Sequence, residues 1–290
     1  MLRNAGARGG RPRSLDPAGC LALLLGYTRT RGLMSMLQMV FGLTNSVLSD
    51  FLKFSMRLLF KILKDEPYAK VEIPSCDEIN AYKEKIVANF PDLDGVWCVM
   101  DGLKIPIQKP ADEATQNAYY NGWLHDHFVG CVFAFAPSGM VVACTLNAPG
   151  SWHDSFIAEN GGLYAKLESV YEATGGKAVV DSAFSMKRCP FLIKSGKKKN
   201  RETAVARRIR HQATFLRQSA EWGMRALQGS FPRLKDRIIY FDDMADRKLF
   251  LHLIPMIYNF RTKFVGLNQI RSTFYPNFEL NGENVLNIFE

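Results

Sequence analysis

The chemistry in this chain starts from three acidic residues, Asp101, Asp181 and Glu221. Asp101 closes the apolar run Val96-Trp97-Cys98-Val99-Met100, and Asp181 closes Ala178-Val179-Val180. A carboxylate at the end of a buried strand is costly unless it meets a cation or a hydrogen-bond partner. Glu221 follows on a predicted helix around Gln218–Arg225, where Trp222, Met224 and Leu227 mark a face that packs inward. Two acids on strands and one on a packing helix suit a pair of hard divalent cations, which take oxygen ligands and need several carboxylates between them. That is the chemistry of phosphodiester cleavage and transfer. Plainer accounts stay open beside it. Asp101-Gly102 and Asp181-Ser182 also read as turn starters, and Glu221 with Arg225 as a solvated i,i+4 ion pair. Asp154, in Ser151-Trp152-His153-Asp154-Ser155, reads either as a helix N-cap or as a further ligand. His125, His127 and His153 have no metal spacing and read as structural or phosphate-facing.

The elements that must position these acids follow from the hydrophobic rhythm. Trp97–Met100 is the first predicted strand, and His127–Ala136 is a continuous apolar run. Pro137-Ser138-Gly139 then turns the chain into Met140–Leu146, a hairpin signal. A helix is expected over 154–174, ended by Gly175-Gly176, before the strand Lys177–Val180. This β-β-β-α-β order with a late helix predicts an α/β fold with a mixed sheet. Its first and fourth strands would lie side by side, so that Asp101 and Asp181 project from one edge.

Upstream, the pattern is helical. Ser14 or Asp16 with Pro17 starts a helix through Cys20–Tyr27, a second covers Met34–Phe41, and Gly42 ends it. Thr44 then offers an N-cap for Asn45–Leu63, whose apolar positions recur at helical spacing. Helix, short glycine turn, helix is a helix-turn-helix arrangement in which Thr44, Asn45, Ser46 and Ser49 would face base edges. An ordinary three-helix bundle accounts for the same pattern. A further helix is expected over Ser75–Asn89. The implied organisation is a basic arm (1–13, with Arg11 and Arg13), a helix-turn-helix-like domain (14–64), a connector (65–93), a mixed-sheet α/β domain carrying the acids (94–265) and a tail (266–290).

The net charge of +9 and pI near 9.2 point to a polyanionic partner, nucleic acid first. No apolar run reaches the roughly 18 residues of a membrane span, and the expectation is a soluble, intracellular protein. Six cysteines without a CxxC pair read as free thiols rather than a disulfide frame or a zinc site. Between Lys187 and Arg217, eleven Lys or Arg stand against the single acid Glu202, so this stretch could border the cleft and neutralise phosphates. Lys197-Lys198-Lys199-Asn200-Arg201 and Arg207-Arg208-Ile209-Arg210 within it also read as a nuclear-import signal, and a nuclear location is expected.

Taken in order, these segments resemble the PIF/Harbinger group of DDE transposases, including the Harbinger-derived nucleases. The resemblance covers about residues 95–265. It rests on Met100-Asp101-Gly102, on Gly150-Ser151-Trp152-His153-Asp154-Ser155, on Asp181-Ser182-Ala183-Phe184, and on Glu221 with Leu227 and Phe231 ahead of Arg233-Leu234-Lys235. The spacings, 80 residues from Asp101 to Asp181 and 40 more to Glu221, fit as well. Leu103, where Thr is frequent, and Gln228-Gly229-Ser230, where basic residues are common, depart from the pattern. The resemblance implies an RNase H-like fold and a site of Asp101, Asp181 and Glu221 binding Mg²⁺ or Mn²⁺, two ions per site, with Asp154 as a further ligand. It implies attack on a phosphodiester of double-stranded DNA by water and then by a freed 3′-hydroxyl. It also implies a separately encoded DNA-binding accessory protein as partner, and it leaves an oligomer open. A decayed or domesticated copy that binds DNA or a protein without cutting is the alternative.

Overall fold

The computed structural model describes residues 14–31, 34–184, 189–196, 203–237, 244–266 and 268–275. Three helices open it, α1 (Pro17–Arg29), α2 (Met34–Phe41) and α3 (Asn45–Leu63); α2 and α3 have the limits the sequence predicts, and α1 runs two residues beyond Tyr27. The Asp16 carboxylate accepts from the Gly19 N–H at 2.6 Å, and Pro17 sits where a missing N–H does no harm. Thr44 precedes α3 but makes no side-chain cap bond. Helix α4 (Cys76–Asn89) opens with a capping box in which Ser75 and Glu78 satisfy each other's backbone N–H. Leu23, Leu24, Leu48, Leu52 and Met56 join the same apolar cluster as Val99, Phe135, Leu216 and Phe250. The N-terminal helices thus share a core with the sheet.

Six strands follow: β1 (Val96–Pro106), β2 (Tyr120–Asn121), β3 (Asp126–Phe135), β4 (Val141–Pro149), β5 (Lys177–Val180) and β6 (Leu192–Lys194). Between and after them run α5 (Glu113–Tyr119), α6 (Asp154–Asn160), α7 (Leu163–Thr174), α8 (Ala204–Ser230), α9 (Met244–Val265) and α10 (Gln269–Phe274). The sheet order is β2-β3-β1-β5-β6, with β4 also on β3. β1, β3 and β4 pair antiparallel, whereas β5 lies parallel to β1 and β6 parallel to β5. The predicted first and fourth strands are neighbours, and the mixed order is consistent with an RNase H-like nuclease.

Strand alternation sorts the core into two layers. Val99, Leu103, Phe133, Phe135 and Val179 face the cluster that holds α8 and α9. Trp97, Met100, Val132, Ala134 and Val180 face the one that holds α6 and α7.

Two expectations need correction. β1 does not end at Asp101 but continues to Pro106, with Asp101 opposite Phe133 and Leu103 opposite Cys131. The alternation Leu103, Ile105 after the acid keeps one face apolar, which lets the ladder run on. The single helix expected over 154–174 is broken at Gly161-Gly162. Gly162 takes φ +71°, and a side chain on Gly161 would run into Thr145.

Candidate active site

Asp101 and Asp181 come together through strand register. Val99 pairs with Val179 across the parallel β1–β5 ladder, and each acid lies two residues further along its own strand direction. A two-residue step preserves the face, so Asp101 stands on the α8 side of the sheet. One Asp101 oxygen accepts its neighbour Gly102 N–H at 2.9 Å. Asp181 begins the loop directly after β5, where its Oδ1 accepts from the Ala183 N–H at 2.7 Å. The turn-starter reading therefore describes part of Asp181's geometry, but it fails for Asp101 inside a strand.

Glu221 lies in the middle of α8, a 27-residue helix opened by the Thr203 hydroxyl accepting from Ala206 N–H. Ala213, Leu216, Ala220, Gly223, Met224 and Leu227 bury one face of it against the sheet. At Gly223 the fit is tight, because a Cβ there would meet the Phe135 ring at 2.8 Å. The ion pair considered with Arg225 is replaced by one with Arg217, four residues the other way, at 2.7 Å. Arg217 also reaches across to Asp101, Nη1 to Oδ2, at 3.7 Å. One guanidinium thus joins the strand acid to the helix acid.

Asp154 approaches from the other layer. It is the first residue of α6, and His153 holds the N-cap position without a cap bond, so the helix-cap reading of Asp154 does not apply. The carboxylate lies against the α-carbon of Gly102, where any side chain would collide with it. That contact explains Gly after Asp101: the position needs no turn, only the absence of a Cβ. Gly150 does the same for the segment leading to Asp154, since a Cβ there would strike the Phe128 carbonyl. Lys104 lies 3.5 Å from Asp154 Oδ1 and donates to the Trp152 carbonyl at 2.7 Å.

The electrostatics are those of acids crowded together. Burial pushes the Asp101 carboxyl up to about 6; the Asp181 and Asp154 charges add to this, while the Gly102 N–H and Arg217 oppose it. Burial likewise raises Asp154, with Lys104 pulling it back and Asp181 pushing it further. Asp154 Oδ1 is buried, and its partner is the Lys104 ammonium at 3.5 Å. An all-carboxylate donor set whose members push one another's pKa upward suits a hard divalent cation, and such an ion would relieve the mutual repulsion. Among the described residues no three His, Cys, Asp or Glu already converge on one point, so the acids fit an ion by their chemistry without forming a finished cage.

The remaining predicted residues are spread more widely. Thr44, Asn45 and Ser46 are exposed at the start of α3, and Ser49 is half-buried. Arg207 and Arg208 are exposed and Arg210 half-buried in the first turns of α8. Arg208 pairs with Asp92 at 3.1 Å, and Arg210 donates to the Gly196 carbonyl at 3.0 Å. Arg210, Arg217 and Glu221 recur at helical spacing and share one stripe of α8. Arg11, Arg13, Lys197, Lys198, Lys199 and Arg201 lie outside the described residues. Sequence reasoning missed Lys104, and it counted Arg217 only within a basic run. The i,i+4 rule applied on the N-terminal side of Glu221 would have found the latter.

A mixed α/β sheet with aspartates brought together beside a glutamate-bearing helix is consistent with the nuclease class of α/β proteins. The model for the DDE superfamily endonuclease family matches residues 100–248, just over half of the chain, and the chain belongs to that family. The match takes in all four acids and most of the described sheet. No curated protein and no solved structure matches it. No described helix is long and apolar enough to cross a membrane.

Proposed function

We propose that this protein is a metal-dependent DNA endonuclease and strand-transferase of the PIF/Harbinger type, cutting and joining phosphodiester bonds at duplex DNA ends in the nucleus. The observation that carries the reading is the register of Asp101 and Asp181, two steps beyond one residue pair on adjacent parallel strands, with the Glu221 helix packed over the same layer. Asp101, Asp181 and Glu221 would hold Mg²⁺ or Mn²⁺, with Asp154 as the outer carboxylate. Bound there, the ions would acidify water and stabilise developing charge on oxygen. The chain's own part is to hold the acids at fixed separation on strand and helix, and to line the approach with cations. Arg210 and Arg217 on the Glu221 stripe of α8 give the backbone of a duplex a track towards the acids. The exposed Thr44, Asn45 and Ser46 at the start of α3 would meet base edges, in a helix-turn-helix role assisted by an accessory DNA-binding protein.

The test is cleavage of end-labelled duplex DNA with Mg²⁺ or Mn²⁺ by the wild type and by Asp181→Ala. Loss of at least about a hundredfold in rate is expected, the scale for removing one group that stabilises transition-state charge. Equal cleavage by both proteins defeats the catalytic assignment. DNA binding without cleavage by the wild type would instead leave the non-catalytic, domesticated reading.

A further inference from the structure

Arg217 is the cation already inside the proposed site. Its two terminal nitrogens are divided between Asp101 on β1 and Glu221 on α8, at 3.7 Å and 2.7 Å. These are two of the carboxylates that a divalent ion would need. The side chain is about a quarter exposed and Glu221 more so, so the pair stands at the edge of solvent rather than sealed beneath it. Arg208, on the same helix, is paired differently. Its partner Asp92 is also held by the Gln212 side chain at 2.8 Å, away from the acids.

We propose that Arg217 and a divalent ion exchange at Asp101 and Glu221, and that the released guanidinium becomes a phosphate-binding group for the DNA strand entering the site. The inference rests on the nuclease reading above. An ion that takes Asp101 Oδ2 and Glu221 Oε1 removes both of Arg217's carboxylate partners. A guanidinium left beside a newly bound cation is repelled by it and must find another anion. Its planar fork matches a phosphate in two-point geometry, and its place on the Arg210–Glu221 stripe puts it in line with the approach just described. Metal and DNA binding should therefore be coupled through this one residue, each favouring the other.

The experiment measures binding rather than turnover. Calorimetric titration of the full chain with Mn²⁺, without DNA, is compared for wild type, Arg217→Gln and Arg217→Lys. Fluorescence anisotropy then follows a labelled duplex with and without Ca²⁺. Removing the competitor should tighten Mn²⁺ binding in Arg217→Gln by about fivefold, the scale of a partly exposed ion pair. In the wild type Ca²⁺ should increase DNA affinity, and in Arg217→Gln that gain should vanish. Arg217→Lys keeps a charge that cannot span both acids, so it should retain part of the gain, which also guards against misfolding of the Gln variant. Weaker Mn²⁺ binding in Arg217→Gln, or an undiminished Ca²⁺-dependent gain, overturns the exchange while leaving the metal site standing. No Mn²⁺ binding by the wild type overturns the metal reading and the exchange with it.

Discussion

The two faces of β1 each carry an acid with a cation beside it, and the pairings are of opposite kinds. On the α7 side, Lys104 is tied at once to Asp154 and to the Trp152 carbonyl, and both side chains are about four-fifths buried. On the α8 side, Arg217 divides itself between two acids on separate elements, at a contact distance for one and a long distance for the other. The first arrangement is closed: Asp154 fills the space over Gly102, and moving it would leave a lysine unpaired in a tight site. The second is more loosely held: Arg217 and Glu221 are about a quarter and two-fifths exposed, although Asp101 itself is as buried as Asp154.

Removing the acids in turn should give the largest differences between the two sides. Asp101→Ala should match Asp181→Ala in abolishing cleavage. Asp154→Ala should cost only about 10–100-fold, the range for a group acting behind the direct ligands. Cleavage rates on one labelled duplex rank the three, and equal losses would move Asp154 into the direct ligand set.

Stability against pH gives the next largest effect. The native Asp101 carboxyl titrates at about 6, above the usual value near 4 for an unfolded aspartate. Between those two values the folded chain holds a proton that the unfolded chain has lost, so this residue's contribution to stability falls as pH rises through the window. The loss is complete above pH 6 and amounts to roughly 2 kcal/mol after screening. In metal-free buffer Asp101→Asn should therefore have a higher Tm than wild type at pH 7.5 and the same Tm at pH 4. Mg²⁺ should raise the Tm of wild type at pH 7.5 more than that of the variant. Thermal melts at the two pH values check both, and a variant less stable at pH 7.5 contradicts the sign.

Glycine contacts sharpen the closed side. Gly102→Ala forces a methyl against Asp154 and should destabilise the protein by about 1–3 kcal/mol, as overpacking does. Gly229→Ala, on α8 with nothing within 4 Å of its Cβ position, should instead stabilise by about 0.5–1 kcal/mol through helix propensity. Denaturant unfolding of the two variants distinguishes a steric role for Gly102 from a general intolerance of the fold.

Much of this molecule could be read directly from residue order. The limits of α2, α3 and β5, the Ser75 start of α4 and the β3–β4 hairpin rest on local signals: caps, glycine stops and runs of fixed period. Helix α9 was not foreseen. It is buried nearly all round, from Phe250 through Asn259, and carries Pro255 inside, so it shows neither an amphipathic stripe nor a clean interior. Strands β2 and β6, of two and three residues, are too short to have a period. α10 falls within the segment expected to be a tail, where it buries Ile270 and Phe274.

For the site, the sequence alone showed that two acids terminate or interrupt apolar runs, because burying a carboxylate leaves a mark in composition. It also showed, in order, the four segments on which the resemblance to DDE transposases rests. Only the tertiary structure decided that Asp101 lies within its strand, that Asp154 braces the face opposite, and that Arg217 rather than Arg225 holds Glu221. These depend on strand pairing and on which side of a helix meets the sheet. Such choices are fixed by packing between segments distant in the chain, where the spacing of residues along it carries no information.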